Sequence, residues 1–235
     1  MKELIKNKYL YFIVGGVVLL FAIIILLYNY MHLTKLEKEL LIEQSNKVMK
    51  YYDVYVNSDS ESIDKYMLYA LTYSDNENDK SSLNNKEIKE ILASVFNKEF
   101  NEEEIKNVGI TPLFMDYNVM QNYETSSYYI DKNAINQTKI ATIKFNIYYL
   151  KSIKKRGSNY ILEYENYLID NPYEVLNYYT EKGVDTSKIN DYLRAKGKIK
   201  DIKEATGKDF LESKAKKLDN IEVTYILKGS KFLIK

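Results

Sequence analysis

A run of twenty residues without a charge, Tyr9 to Tyr28 within "YLYFIVGGVVLLFAIIILLYNY", constrains this chain more than any other feature. As an α-helix it spans about 30 Å, the thickness of bilayer hydrocarbon. Tyr9, Tyr11 and Phe12 stand at one end and Tyr28 and Tyr30 at the other, where aromatic rings suit the two interfaces. A core helix carries one apolar stripe rather than an apolar surface all round. A removable export signal has a shorter apolar run and a small-residue cleavage site. After Leu27 the chain reads Tyr-Asn-Tyr-Met-His-Leu, with no such site. Residues 9–30 are therefore expected to form an uncleaved transmembrane signal anchor. Lys2, Lys6 and Lys8 outweigh Glu3 before it, whereas Lys35 and Lys38 after it are balanced by Glu37 and Glu39. The positive-inside rule then makes 1–8 a cytoplasmic tail and places the C-terminal domain outside, in a single-pass cell-membrane protein.

The chain lacks cysteine, which excludes disulfides, thiol catalysis and thiolate metal sites. Aromatic residues make up 14% and are mostly the 24 tyrosines, with no tryptophan. A tyrosine-rich core has polar edges, because each ring can be buried only if its hydroxyl stays wet or finds a partner. The lysine-, asparagine-, isoleucine- and tyrosine-heavy composition fits an AT-rich bacterial genome. Net charge is +1, so no bulk field points to nucleic acid. The charge is uneven, however: about 13 acids against 5 lysines over 53–104, and about 17 bases against 11 acids over 139–217. Two solvated faces of opposite sign account for this, and a head-to-tail self-association surface is the sharper alternative.

After the anchor, "MHLTKLEKELLIEQSNKVMKYYDVYV" reads as helix. Its short seam of Leu33, Leu36 and Leu40 lapses at Glu43 and Lys47. It is expected as a juxtamembrane stalk over 31–58, leaving 59–235 as the extracytoplasmic domain. Ile63, Tyr66, Met67, Ala70 and Leu71 predict an amphipathic helix over 61–73, ended by the polar loop "SDNENDKSSLNN". Ile88, Ile91, Leu92, Val95 and Phe96 predict a second, over 86–97. Asn101 and Glu104 have the form of a capping box for a short third. The period then changes. "IATIKFNIYYLKSI" and "NYILEYENYLI" alternate around a turn at Gly157 and predict a long hairpin over 139–169, with Leu162, Tyr164 and Leu168 on one side. Weaker strands precede it near 113–119 and 126–131. Asn171-Pro172 opens a helix that Gly183 stops. Helices are also expected over 186–195 and 208–218, and a closing strand pair in "IEVTYILKGSKFLIK". Helices followed by an antiparallel meander give an α+β domain, with helices packed on a curved sheet.

The helices at 61–73 and 86–97, the hairpin at 139–169 and the closing "VTYILKGSKFLIK" together resemble the nuclear transport factor 2-like (cystatin-like) superfamily, in its membrane-anchored bacterial members. The resemblance covers roughly 60–235 and makes 172–218 a helical insertion. It implies a helix lying in the hollow of a bent sheet, and a pocket there. Tyr66, Tyr69, Tyr73, Tyr148 and Tyr164 are the candidate pocket-lining residues, with wet-edged core packing as their other reading. The plan is also similar to inner-membrane assembly subunits of conjugation and type IV secretion machines.

Several local clusters suggest chemistry and also have plainer readings. Asp75-x-Glu77-x-Asp79 begins like a calcium loop, but Lys80 and Lys86 occupy the glycine and glutamate positions such a loop needs. His32, the single histidine, sits at the membrane boundary, where an interfacial role is expected. Glu163 and Glu165 share a strand face, as catalytic carboxylates or an exposed face would. Lys151–Arg156 and Arg194–Lys203 are basic stretches without interleaved aromatics for single-stranded nucleic acid. No catalytic, cofactor or metal residues are expected. The expected function is non-enzymatic: a single-pass membrane protein whose outer domain binds a protein partner in the cell envelope, by self-association or with another component. A conjugation or secretion subunit and a pocket-containing small-ligand sensor are the alternatives.

Overall fold

A computed structural model describes residues 14, 16–25, 27–28, 32–56, 64–101, 105, 118–122, 127–131, 144–194 and 196–235. Within them the chain is α+β, with helices against antiparallel sheet. The described part of the expected anchor, 14, 16–25 and 27–28, is helical. Its side chains find no cover: Val18, Leu19, Leu20 and Phe21 are 60–65% exposed. Among the described residues no helix is by itself long and apolar enough to cross a membrane. The remainder of the expected span (9–13, 15, 26 and 29–30) lies outside the described residues.

Helix α1 (Lys35–Met49) opens with a capping box. The Thr34 hydroxyl accepts from Glu37 N, and the Glu37 carboxylate accepts from Thr34 N. Helix α2 (Tyr52–Val56) follows after a turn. A free stalk would keep these helices wet, yet Leu41, Val48, Met49 and Tyr51 are buried in the main core and Leu33 and Leu40 pack against it. The expected stalk is thus part of the domain from Leu33 onward. Leu36, read as part of its seam, points to solvent at 75% exposure.

Helix α3 (Asp64–Glu77) carries buried Met67, Leu68, Tyr69, Ala70 and Leu71. It runs into the expected loop, whose second half becomes strand β1 (Ser82–Asn84). Asn84 ends β1 and caps α4 (Asn85–Ala93) in a second capping box, with Glu87. Val95 and Phe96, expected on α4, form a turn beyond it, and Phe96 bridges to Ile234. The short helix expected after Asn101 lies almost wholly outside the described residues. Strands β2 (Asn118–Asn122) and β3 (Ser127–Asp131) join β1 in a three-stranded sheet of order β1-β3-β2.

A separate four-stranded antiparallel sheet has the order β4-β5-β6-β7. Its hairpin is β4 (Phe145–Arg156) and β5 (Asn159–Ile169), turning at Gly157 with φ 62°, a conformation glycine adopts without steric cost. β6 (Lys216–Lys228) and β7 (Lys231–Ile234) complete it. Bulges at Leu150/Ser152 and Tyr164/Asn166 shift the register, and such bulges bend strands. They also overturn the expected alternation. Leu162 and Tyr164 are buried as expected, and Tyr160 with them, but beyond the bulge Tyr167 and Ile169 are buried while Leu168 is only half-buried. On β4, Tyr149 does not follow Phe145 inward: Phe145 is fully buried and Tyr149 is 42% exposed.

Four helices lie between β5 and β6: α5 (Pro172–Glu181), α6 (Ser187–Leu193), α7 (Ile199–Ala205) and α8 (Lys208–Ser213). Asn171 caps α5, accepting from Tyr173 N, with Pro172 at its first position. Helix α7 was not anticipated. The helix expected over 208–218 ends at Ser213, because Lys216, Lys217 and Leu218 pair with Leu168, Tyr167 and Asn166. A strand ladder here overrides helix propensity.

Candidate functional site

The site begins with two charges that should not be buried alone. Asp53, in the first turn of α2, is fully buried, and Lys203 on α7 has a side chain only 5% exposed. Ile199, Ile202 and Lys203 stand at i, i+3 and i+4, so the lysine occupies the apolar face of its helix. Its ammonium donates to Asp53 Oδ1 and Oδ2 at 2.9 and 2.8 Å and to the Lys50 carbonyl at 2.6 Å. Those bonds use all three donors. Asn146 N at the start of β4 donates to Asp53 Oδ2 at 3.1 Å, and Asn146 Nδ2 donates to Asn166 Oδ1 at 2.7 Å. Desolvation pushes the Lys203 pKa down, and Asp53 opposes it. The pair clamps α2, α7 and β4 together and leaves no donor free for chemistry.

Around the clamp runs a second set of pairs. Lys50 Nζ meets Glu204 at 2.5 Å and Glu77 at 3.9 Å, and the Tyr51 hydroxyl donates to Glu77 at 2.6 Å. Burial raises the Tyr51 and Tyr148 hydroxyls above their ordinary range, and the neighbouring carboxylates Glu77 and Asp53 add to this. The bond from Lys50 holds Glu204 low.

Lys50, Asn146, Tyr148, Lys203 and Glu204 help to wall an open cleft of about 380 Å³ between α1, β4 and α7. Ile42 and Met49 line it from α1, Lys203 and Glu204 from α7, and Asn146 through Leu150 from β4. Of the five tyrosines proposed as pocket lining, this cleft takes in Tyr148 alone. Tyr73 borders a smaller hollow of about 300 Å³ beside Lys47 and Phe232. Tyr69 and Tyr164 are core residues at 0% exposure. Burial lifts the Tyr164 hydroxyl to about 12, against the pull of Ser45 and Tyr225. Tyr66 joins an aromatic cluster with Tyr55, Phe96 and Phe100, under the ammonium groups of Lys65 and Lys98.

The other sequence candidates fall into ordinary roles. The Asp75 carbonyl and the Asp79 carboxylate accept from Lys198, while Glu77 turns to Tyr51, so the calcium-like spacing does not converge. Glu163 is held down to about 2 by Lys151, Asn220 and Ser152, and Glu165 is lowered by Lys217. A carboxylate shifted downward is a poor proton donor at neutral pH. His32 stacks on Tyr28 at 3.9 Å and its Nδ1 lies 3.0 Å from the Tyr28 carbonyl.

Asp53 and Lys203 were missed as a site in the sequence. Their signals are a lone acid in the apolar "YYDVYV" and a lysine at an apolar helical position. Compared with protein-family models, curated proteins and solved structures, the chain has no significant match.

Proposed function

We propose that this chain is a non-enzymatic, single-pass membrane protein whose outer domain holds a protein partner in the cell envelope. The observation that carries the reading is the exposed apolar helix at 16–25, beside a domain that buries its own core. Leu19 at 65% and Val18 at 63% exposure cannot stay in water without association or a lipid surround. The domain is proposed to be a nuclear transport factor 2-like variant, a reading supported by an antiparallel sheet whose strands carry bulges and by helices that share its core. The Asp53–Lys203 clamp, with its donors saturated, is given a structural role in this reading.

The test is chemical cross-linking in native membranes, followed by size-exclusion chromatography with light scattering on detergent-extracted protein. The expected result is a discrete complex heavier than one chain. A strict monomer with no cross-linked envelope protein would sink the reading.

A further inference from the structure

The cleft has a geometry that a surface hollow on one face of a sheet cannot have. Five consecutive residues of β4, Asn146 to Leu150, line it. Successive side chains of a strand point to opposite faces, so the cleft straddles the strand's edge. Among the described residues β4 has one strand neighbour, β5. Its other edge faces the cleft, whose remaining walls are residues of α1 and α7.

The backbone confirms the direction. In an antiparallel pair, alternate residues turn their N–H and C=O towards the partner strand and the rest turn away. Asn146 turns away, because its N–H goes to Asp53. Tyr148 and Leu150 share its parity and precede the bulge at Leu150/Ser152. Their backbone groups therefore face the cleft. The Asp53 carboxylate serves the first outward N–H as the side chain of a fixed plug, and no described strand pairs with the next two positions.

We propose that this edge is a strand-addition groove that takes an extended, acidic segment of a partner protein, an assignment that rests on the partner-holding function above. Main-chain hydrogen bonds to Tyr148 and Leu150 supply affinity, and alternate side chains settle between Ile42 and Met49 on one side and Tyr149 on the other. Charge selects the occupant. Residues 144–156 hold Lys144, Lys151, Lys154, Lys155 and Arg156 and no acid. Lys151 and Lys155 are partnered by Glu163 and Glu37, while Lys154 and Arg156 are exposed and have no carboxylate partner among the described residues. Pairing with β4 of a second copy would set these bases against each other, which is unfavourable.

The test uses the full chain in detergent and two blocked, fluorescein-labelled octapeptides, one alternating glutamate with valine and the other lysine with valine. Fluorescence anisotropy should rise with the glutamate peptide only, and amide exchange at Tyr148 and Leu150 should slow roughly tenfold or more on binding. Leu150→Pro removes an N–H that β5 does not use, so the hairpin is retained while binding falls roughly tenfold or more. The exposed pair Lys154→Glu with Arg156→Glu should weaken the glutamate peptide comparably without touching the core, and supplies the answer if Leu150→Pro fails to fold. Binding without protection at Tyr148 and Leu150, or binding indifferent to the charge reversal, overturns the groove. So does concentration-dependent protection of β4 without peptide, which would give the edge to a second copy. A partner cross-linked in native membranes through another face would overturn the groove while leaving the partner-holding function standing.

Discussion

At the scale of residues, the tyrosines show how this core tolerates so many hydroxyls. Several rings are buried while their oxygens reach named partners. Tyr128 donates to the Ile105 carbonyl at 3.1 Å, Tyr160 to Glu37 at 3.0 Å, and Tyr179 to Asp209 at 3.1 Å while accepting from Gly207 N at 2.6 Å. Each such bond contributes modestly when made and costs more when broken, because the survivor is stranded. The same asymmetry governs the clamp. Asp53→Ala leaves the Lys203 ammonium buried and unpaired and should destabilise the domain by about 3–5 kcal/mol. Replacing both, as Asp53→Leu with Lys203→Met, should recover most of that loss. Chemical denaturation followed by near-UV tyrosine dichroism separates the two outcomes. If the single and double variants were equally unstable, the charge pair would not be the source.

Glu37 gives the residue scale a pH signature. The Thr34 backbone N–H, then the Tyr160 and Thr34 hydroxyls and the Lys155 ammonium, lower its carboxyl to about 2 from an ordinary 4.5, against the opposing effect of burial. A folded pKa below the unfolded one contributes stability that is present above the unfolded value and lost as pH falls through the folded value. Stability should therefore decline between about pH 4.5 and pH 2, with Glu37 contributing about 1 kcal/mol of it after solvent screening. Glu37→Gln should remove that share of the slope and leave stability above pH 5 lower by a similar amount. A wild-type and variant with parallel acid titrations would contradict this.

At the scale of elements, α1 decides where the folded unit begins. Leu41 at 0% exposure and Gln44, whose Oε1 accepts from Phe232 N at 2.7 Å, tie it to the sheet. A chain beginning at Leu33 should unfold cooperatively, and one beginning at Asn57 should not. Leu41→Ala in the longer chain should cost about 2–5 kcal/mol. Thermal dichroism of the truncations is the measurement, and a cooperative transition in the shorter chain would return α1 to the role of a stalk. The sequence made elements legible where local rules act alone: the Asn171-Pro172 start, the Gly157 hairpin, the period change at β4. It hid what depends on distant partners. The bulge that exchanges Leu168 for Tyr167 on the buried side is set by pairing with β6, some fifty residues on. Helix α7 was obscured because Lys203 breaks its apolar stripe, and that lysine makes sense only once Asp53 is beside it. The cleft was illegible for the same reason, since its walls come from three separated parts of the chain.

At the scale of the molecule, the uneven charge along the sequence closes partly on itself. Lys203 meets Asp53 and Lys198 meets Asp79, joining the basic half to the acidic one within a single copy. That internal pairing weakens the case for head-to-tail self-attraction and leaves the basic edge of β4 as the more distinctive field. Which side of a membrane that edge would face decides which partners can reach it. The proposal that the domain after the apolar run is outside rests on Lys2, Lys6 and Lys8 before it. The chain has no cysteine, so one introduced by Ser230→Cys, in the exposed turn between β6 and β7, is a unique reporter. It should react with a membrane-impermeant maleimide in intact cells, and the labelled chain should stay in the membrane pellet after an alkaline carbonate wash. Removing residues 1–30 should release it to the supernatant. Labelling that appears only after lysis would turn the topology round, and with it the compartment from which any strand partner of β4 must come.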